Sequence, residues 1–229
     1  IPWDGTAAND GQQLAKQLTS SGQIVIGTYN ASTDNPDSPG LTFHHCNVLD
    51  DQPDFRFIPE TLDGIVYCPG SISLKPFHRI KPQDFEADYK LQVTGAIKAI
   101  QAALPALKKG INPSIVLFST TAVQTGLNFH SMVSASKGAI EGLTRALAAE
   151  FAPTIRVNCI APSLTDTPLA SSLLNTPEKR EANAQRHPLR RIGAATDIAN
   201  MAEYLLSEKS GWITGQVMHV DGGISRLKV

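Results

Sequence analysis

Two apolar runs separated by one long helix constrain this chain more than any other feature. Residues 114–119 and 154–161 read as strands. Between them, residues 131–150 place Ile140, Leu143 and Leu147 at the 3/4 spacing of a helix of about four turns. A second face of that helix carries Gly138, Gly142, Ala146 and Ala149, so another backbone can approach it closely. Strand, helix, strand in this order is the crossover unit of a parallel sheet, which commits the chain to an α/β architecture.

The remaining segments extend that pattern. Residues 5–11 form a glycine-containing turn that enters a helix at 12–18, and residues 23–28 make an apolar strand. Residues 41–46 alternate as a third strand, and residues 62–70 form another that ends in a turn. A helix begins near Pro82, with Asp84, Glu86 and Asp88 in its first turns. It runs through Phe85, Val93, Ile97, Ile100 and Leu104 and is expected to stop at Pro105. Thr196, followed by Asp197, is expected to cap a helix whose apolar face is Ile198, Met201, Ala202, Leu205 and Leu206. Residues 215–220 form the last strand. No repeat, low-complexity tract or linker interrupts the 229 residues, so residues 1–229 are expected to be a single domain.

Charge narrows the function classes. Twenty basic and 21 acidic residues give a net charge of −1, which supplies no electrostatic footprint for nucleic acid or an anionic membrane. No apolar run approaches a membrane-spanning length and no signal-peptide pattern is seen, so a cytoplasmic location is expected. Cys46, Cys68 and Cys159 are odd in number and suit no metal site by their spacing, so buried reduced thiols and no metal are expected.

The stretch Ala135-Ser136-Lys137-Gly138-Ala139, then residues 156–162, then Gly215-Gln216-Val217 and Val220-Asp221-Gly222-Gly223, resembles the short-chain dehydrogenase/reductase family over nearly the whole chain. The resemblance implies a Rossmann-like, doubly wound parallel sheet of about seven strands with helices on both faces. It implies NADP or NAD as cofactor, a small-molecule carbonyl or alcohol as substrate, and a homodimer or homotetramer. Members use Y-x-x-x-K, in which a Tyr hydroxyl exchanges a proton with the substrate oxygen and the Lys lowers that Tyr's pKa. Counting back four from Lys137 lands on Val133, which has no proton to give.

Other positions carry over one at a time. The family's T-G-x-x-x-G-x-G loop holds the cofactor pyrophosphate on backbone N–H groups and a helix N-terminus. Here Gly5 and Gly11 remain, Asn9 takes the middle place, and Asp4 and Asp10 add carboxylates where an anion should sit. Only Ile1-Pro2-Trp3 precedes this loop, so the first strand is expected to be very short or to begin upstream. Tyr29 stands where an acid would bind ribose hydroxyls, which leans the cofactor choice towards NADP, and Asn47 stands beside the adenine place. Gly70 is the one identity in the N-N-A-G segment, in which Tyr67 is read as packing and not as a substitute acid. Gln92 takes the place of the Asn in the family's proton relay, and Thr120 that of the substrate-orienting Ser, with Ser119 and Thr121 as near alternatives. Pro162 and Thr165 fall in the loop that passes the nicotinamide, with Ser163 in place of a Gly. Residues 168–190 would form the substrate lid. His130, with Ser131 beside it, is read as structural, although it is the nearby side chain best suited to acid/base work. The substitutions gather at chemical positions while framework motifs persist. That pattern sets an oxidoreductase of doubtful turnover against a degenerate relative with a structural, hetero-oligomeric or ligand-sensing role.

Overall fold

The computed structural model describes residues 2–3, 8–31 and 37–228, and side chains from residue 11 onward. Two parallel sheets carry the architecture. In the first, β1 (Pro2–Trp3), β2 (Val25–Tyr29) and β3 (Leu41–His45) pair in sequence order. In the second, β4 (Gly64–Val66), β5 (Ser114–Phe118) and β6 (Arg156–Pro162) pair in order. The two-residue strands β7 (Thr165–Asp166) and β8 (Gly193–Ala194) pair separately, and β9 (Val217–Val220) closes the second sheet on β6. The two main sheets thus hold three and four strands, every neighbour parallel, in agreement with the sevenfold count.

Helices cover both faces, because parallel strands are buried front and back. Side chains alternate along β5. Ile115 and Leu117 join Val157 and Cys159 in a core sealed by α3 (Gly95–Leu107) and α5 (Ser131–Phe151), through Ala96, Ala99, Ala103, Leu107 and Ile140. Val116 faces the other way with Val66 and Ile160. There it meets Leu14 of α1 (Ala8–Ser20) and Ile198, Ala202 and Leu205 of α7 (Ala195–Leu206). Two shorter helices, α4 (Ala122–Thr125) and α6 (Pro177–Gln185), sit in the connections after β5 and β7. Among the described residues, no helix is long and apolar enough to cross a membrane.

Helix α5 runs Ser131–Phe151, one residue beyond the range read from the sequence, so its 21 residues make nearly six turns and not four. Two other boundaries differ. The helix expected to stop at Pro105 continues to Leu107, where burial of Ala106 and Leu107 outweighs the hydrogen bond that Pro105 cannot make. The cap of α7 is not Thr196 but Ala194, whose N–H donates to Asp197 Oδ2 at 2.8 Å. The carboxylate reaching back three residues does the work assigned to the hydroxyl.

The segment from Pro82 is also not one helix. It is α2 (Pro82–Tyr89), then a π-helical turn over Lys90–Thr94, then α3. In the π turn the Gly95 N–H bonds to Lys90 O, so Leu91 O loses its usual donor. Tyr67 Oη replaces it, donating to Leu91 O at 2.6 Å. The hydroxyl sits so close to Gly95 that any Cβ there would collide with it, which is why residue 95 is a glycine. This satisfies the reading of Tyr67 as a packed residue.

Candidate active site

In a parallel sheet, ligands settle in the crevice beyond the carboxyl ends of the strands. Three expected residues meet at that edge. Gly70 follows β4, Gln92 lies in the π turn, and Lys137 lies on the second turn of α5. A Cβ built on Gly70 would lie 3.6 Å from Gln92 Oε1 and 3.7 Å from Lys137 Nζ. Both polar groups thus lie within van der Waals reach of the Gly70 Cβ position.

Lys137 is 9 % exposed. Burial pushes its ammonium down to about 8, while Cys159, Asp88 and Cys68 act in the opposite direction. Gln92 is 1 % exposed, and its Nε2 donates to both oxygens of Asp88 at 2.8 Å. Asp88 also accepts from Ser71 Oγ at 2.7 Å. Gln92 Oε1 is fully buried with no partner among the described residues. A buried acceptor left bare next to a cation, above a glycine, fits a hydroxylated ligand group.

The other sequence-chosen residues occupy varied settings. Val133 is buried at 5 % exposure, one turn before Lys137. Thr120 Oγ1 accepts from the Ala122 N–H at 3.3 Å at the entry to α4, which leaves its own proton available. Ser119 turns inward instead, donating to buried Glu141 Oε1 at 2.8 Å, so it is not a competitor for Thr120. Thr121 is 3 % exposed, and its N–H donates to Pro162 O at 3.1 Å. Pro162 ends β6, and Thr165 Oγ1 donates to Ser163 O at 3.1 Å. His130 Nδ1 bonds the Asn128 carbonyl at 2.7 Å, a local loop contact consistent with its structural reading.

Tyr29 and Asn47 belong to the first sheet's edge, apart from the Lys137 group. Tyr29 packs edge-on against His45, with ring centroids 5.7 Å apart. Asn47 spends its amide on a turn, donating to Asp50 Oδ1 at 2.7 Å and accepting from Leu49 N–H at 3.1 Å. Gly11 is buried within α1. Gly5 and Asp4, and the side chains of Asn9 and Asp10, lie outside the described residues.

Sequence reasoning missed two polar features. Asp88 was seen only as a helix-start acid, although its spacing of four from Gln92 was the available signal. Ser163 was noted as a departure, but not its bond to His187 Nε2 at 2.8 Å. His187 is 3 % exposed and its Nδ1 bonds Asn183 O at 2.8 Å, so Nδ1 carries the proton and Ser163 donates. This ties the end of β6 to the residue two beyond α6. No three His, Cys, Asp or Glu side chains converge on a metal-sized site among the described residues.

A parallel sheet with a buried lysine at its carboxyl edge defines a class, and the comparisons give it a name. A family model described as enoyl-(acyl carrier protein) reductase matches residues 11–225. The chain belongs to the short-chain dehydrogenase/reductase family, an oxidoreductase family whose members normally bind NAD or NADP. It is similar to L-xylulose reductase of Bos taurus, 27 % identical over 231 residues that cover 96 % of this chain and 93 % of that one. It is 36 % identical over 165 residues to a tropinone reductase homologue of Arabidopsis thaliana, covering 72 % of this chain and 63 % of the relative. A glucose 1-dehydrogenase of Gluconobacter oxydans is 34 % identical over 166 residues, with 72 % and 62 % covered. The alignments therefore span a little under two thirds of the plant and Gluconobacter proteins. Among solved structures, a short-chain glucose/ribitol dehydrogenase from Brucella melitensis superposes with a TM-score of 0.86. It is 26 % identical, over 97 % of this chain and 95 % of that chain.

Proposed function

We propose that this chain is a short-chain dehydrogenase/reductase that holds NADP or NAD and a small ketone or secondary alcohol beside Lys137, with turnover close to background. The observation that carries the reading is Val133, apolar and 5 % exposed, one turn before Lys137, where the family places its proton-donating Tyr. Gly11, Gly70, Lys137, Pro162 and Thr165 would hold the dinucleotide, with Gly5, Asn9, Tyr29 and Asn47 at its pyrophosphate and adenosine end. The bound cofactor would supply hydride chemistry. The chain's own part is to orient ligands: Lys137 donates hydrogen bonds from its ammonium, Thr120 Oγ1 keeps a proton to offer, and Gln92 Oε1 accepts. None of these stands in for the Tyr at the substrate oxygen, since Lys137 lies one helical turn further on. We place the protein in the cytoplasm as a homodimer or homotetramer.

A second reading, a non-catalytic partner in an oligomer, is favoured by one observation. Gly142, Ala146 and Ala149 leave a small-residue face of α5 exposed, and a Cβ on Gly142 would meet nothing within 4 Å. Calorimetric titration with NADPH and NADH separates the two. The first reading expects binding, weakened by the carboxylates of Asp4 and Asp10 in the pyrophosphate loop, and tightened by Asn9→Gly with Asp10→Ile. Absence of binding for both the wild type and that variant rejects it. Assays on the compounds in the relatives' names, reduction of L-xylulose and tropinone and oxidation of glucose with NADP or NAD, are expected to stay near background.

A further inference from the structure

We infer that Asp88 is a positioning residue of the Lys137 site, holding Gln92 so that its carbonyl oxygen faces the lysine. An ionised carboxylate only accepts hydrogen bonds. Gln92 must therefore turn its amide nitrogen towards Asp88, and both Asp88 oxygens receive that nitrogen at 2.8 Å. The opposite end of the amide, Oε1, is thereby aimed at the point above Gly70 that Lys137 Nζ also borders. Nothing else fixes it there, since Oε1 has no partner among the described residues. A neutral side chain at 88 would let the amide rotate and leave the lysine facing N–H groups.

Burial supports the assignment. Asp88 is 5 % exposed, on the one buried position of α2. A carboxylate is costly in such a place unless donors surround it. Ser71 Oγ at 2.7 Å is the second donor, reaching from the segment just after Gly70. The chain Ser71, Asp88, Gln92 thus starts beside Gly70 in sequence and ends at the Gly70 Cβ position in space. The groups facing Lys137 from its neighbours are Asp88 from α2, Cys68 from the turn after β4 and Cys159 from β6. Glu141 lies one turn on along α5 itself and is bonded to Ser119. Asp88 also acts through Gln92, whose Oε1 lies 3.6 Å from the Gly70 Cβ position.

The inference rests on Lys137 being the cation of the ligand site, but its test does not use turnover. Lys137 labelling by trinitrobenzenesulfonate is followed against pH by mass spectrometry. In the wild type its midpoint is expected near the value of about 8 that burial imposes. Asp88→Asn and Gln92→Leu should each lower the midpoint by about half a unit to one unit. That corresponds to about 2.5- to 5.5-fold more neutral amine, and faster labelling, at pH 7. Because Asp88 acts through Gln92, the double variant should shift less than the two single shifts combined. Asp88→Ser, smaller and also neutral, carries the same expectation if Asp88→Asn does not fold. An unchanged midpoint, or strictly additive shifts, overturns the inference. Failure of the functional reading would show instead as absent dinucleotide binding or brisk turnover, with the labelling midpoints unaffected.

Discussion

Val133→Tyr is the sharpest perturbation of the proposed chemistry. A positioned general acid contributes about 10²- to 10⁴-fold, roughly 3 to 5 kcal/mol of barrier. In the proposed site Lys137 lies one turn on and Thr120 keeps a hydroxyl, so a phenol at 133 is expected to gain most of that factor. The obstacle is room. Val133 is only 5 % exposed, and forcing a ring into a packed position costs about 1 to 3 kcal/mol of stability. The assay is the loss of nicotinamide absorbance with NADPH and with NADH over a ketone panel, with thermal unfolding measured on the same samples. Val133→Phe supplies the bulk without the hydroxyl and should stay at background. Rescue of at least about tenfold by the Tyr variant, absent in the Phe variant, is the expected result. Brisk wild-type turnover that survives Lys137→Ala would refute the reasoning and move attention to His130. No gain from a folded Tyr variant would show that the changes at Asn9 and Gln92 matter as much as the missing acid.

Further consequences follow from the same geometry. Lys137 loses its proton near pH 8 when folded and near its ordinary 10.5 when unfolded, so burial of the charge costs about 3 kcal/mol at pH 7. Lys137→Met should raise the melting temperature at pH 7. As pH climbs from 8 to 10.5 the unfolded chain holds the extra proton, the wild type gains stability, and the gap should close; a pH-independent gap contradicts this. Tyr67→Phe leaves the Leu91 carbonyl without that donor and should cost about 1 to 3 kcal/mol in chemical denaturation. Gly95→Ala should cost a similar amount, and the pair should cost less than the sum, because both act on one collision. Gly142→Leu should leave the melting temperature of the protomer within a degree or two while reducing the mass seen by light scattering. A wild-type monomer at micromolar concentration ends the oligomer expectation.

The fold was legible because its signals were long-range and redundant. Apolar strand runs, the α5 stripe of Ile140, Leu143 and Leu147, and the glycine-rich turns all called for one parallel sheet. Lys137, Gly70 and Gln92, picked out by resemblance to family motifs, do lie together in the structure. The site was not legible where the role depends on direction. Ser119 and Thr120 are adjacent hydroxyls at one strand end, yet only the structure shows Ser119 turned to Glu141 and Thr120 turned to α4. Asp88 looked like one of three acids favouring a helix start, and its burial became visible only once α2 was packed on α5. Asn47, expected beside an adenine by resemblance, gives its amide to a turn, which no spacing foretells.

The π turn at Lys90–Thr94 has a consequence for how the molecule can change. A turn that closes one residue late rotates everything after it by roughly a quarter circle relative to an unbroken α-helix. Helix α3 can then give the sheet its stripe of Ala96, Ala99, Ile100, Ala103 and Leu107, while α2 keeps a phase of its own in which Asp88 is the buried residue. One rod in the sequence behaves as two in space. Deleting a single residue from that turn would preserve both helices and every side chain on them. It would still swing either Asp88 out of the site or the alanine stripe off the sheet, so the length of the segment is as strictly specified as its composition.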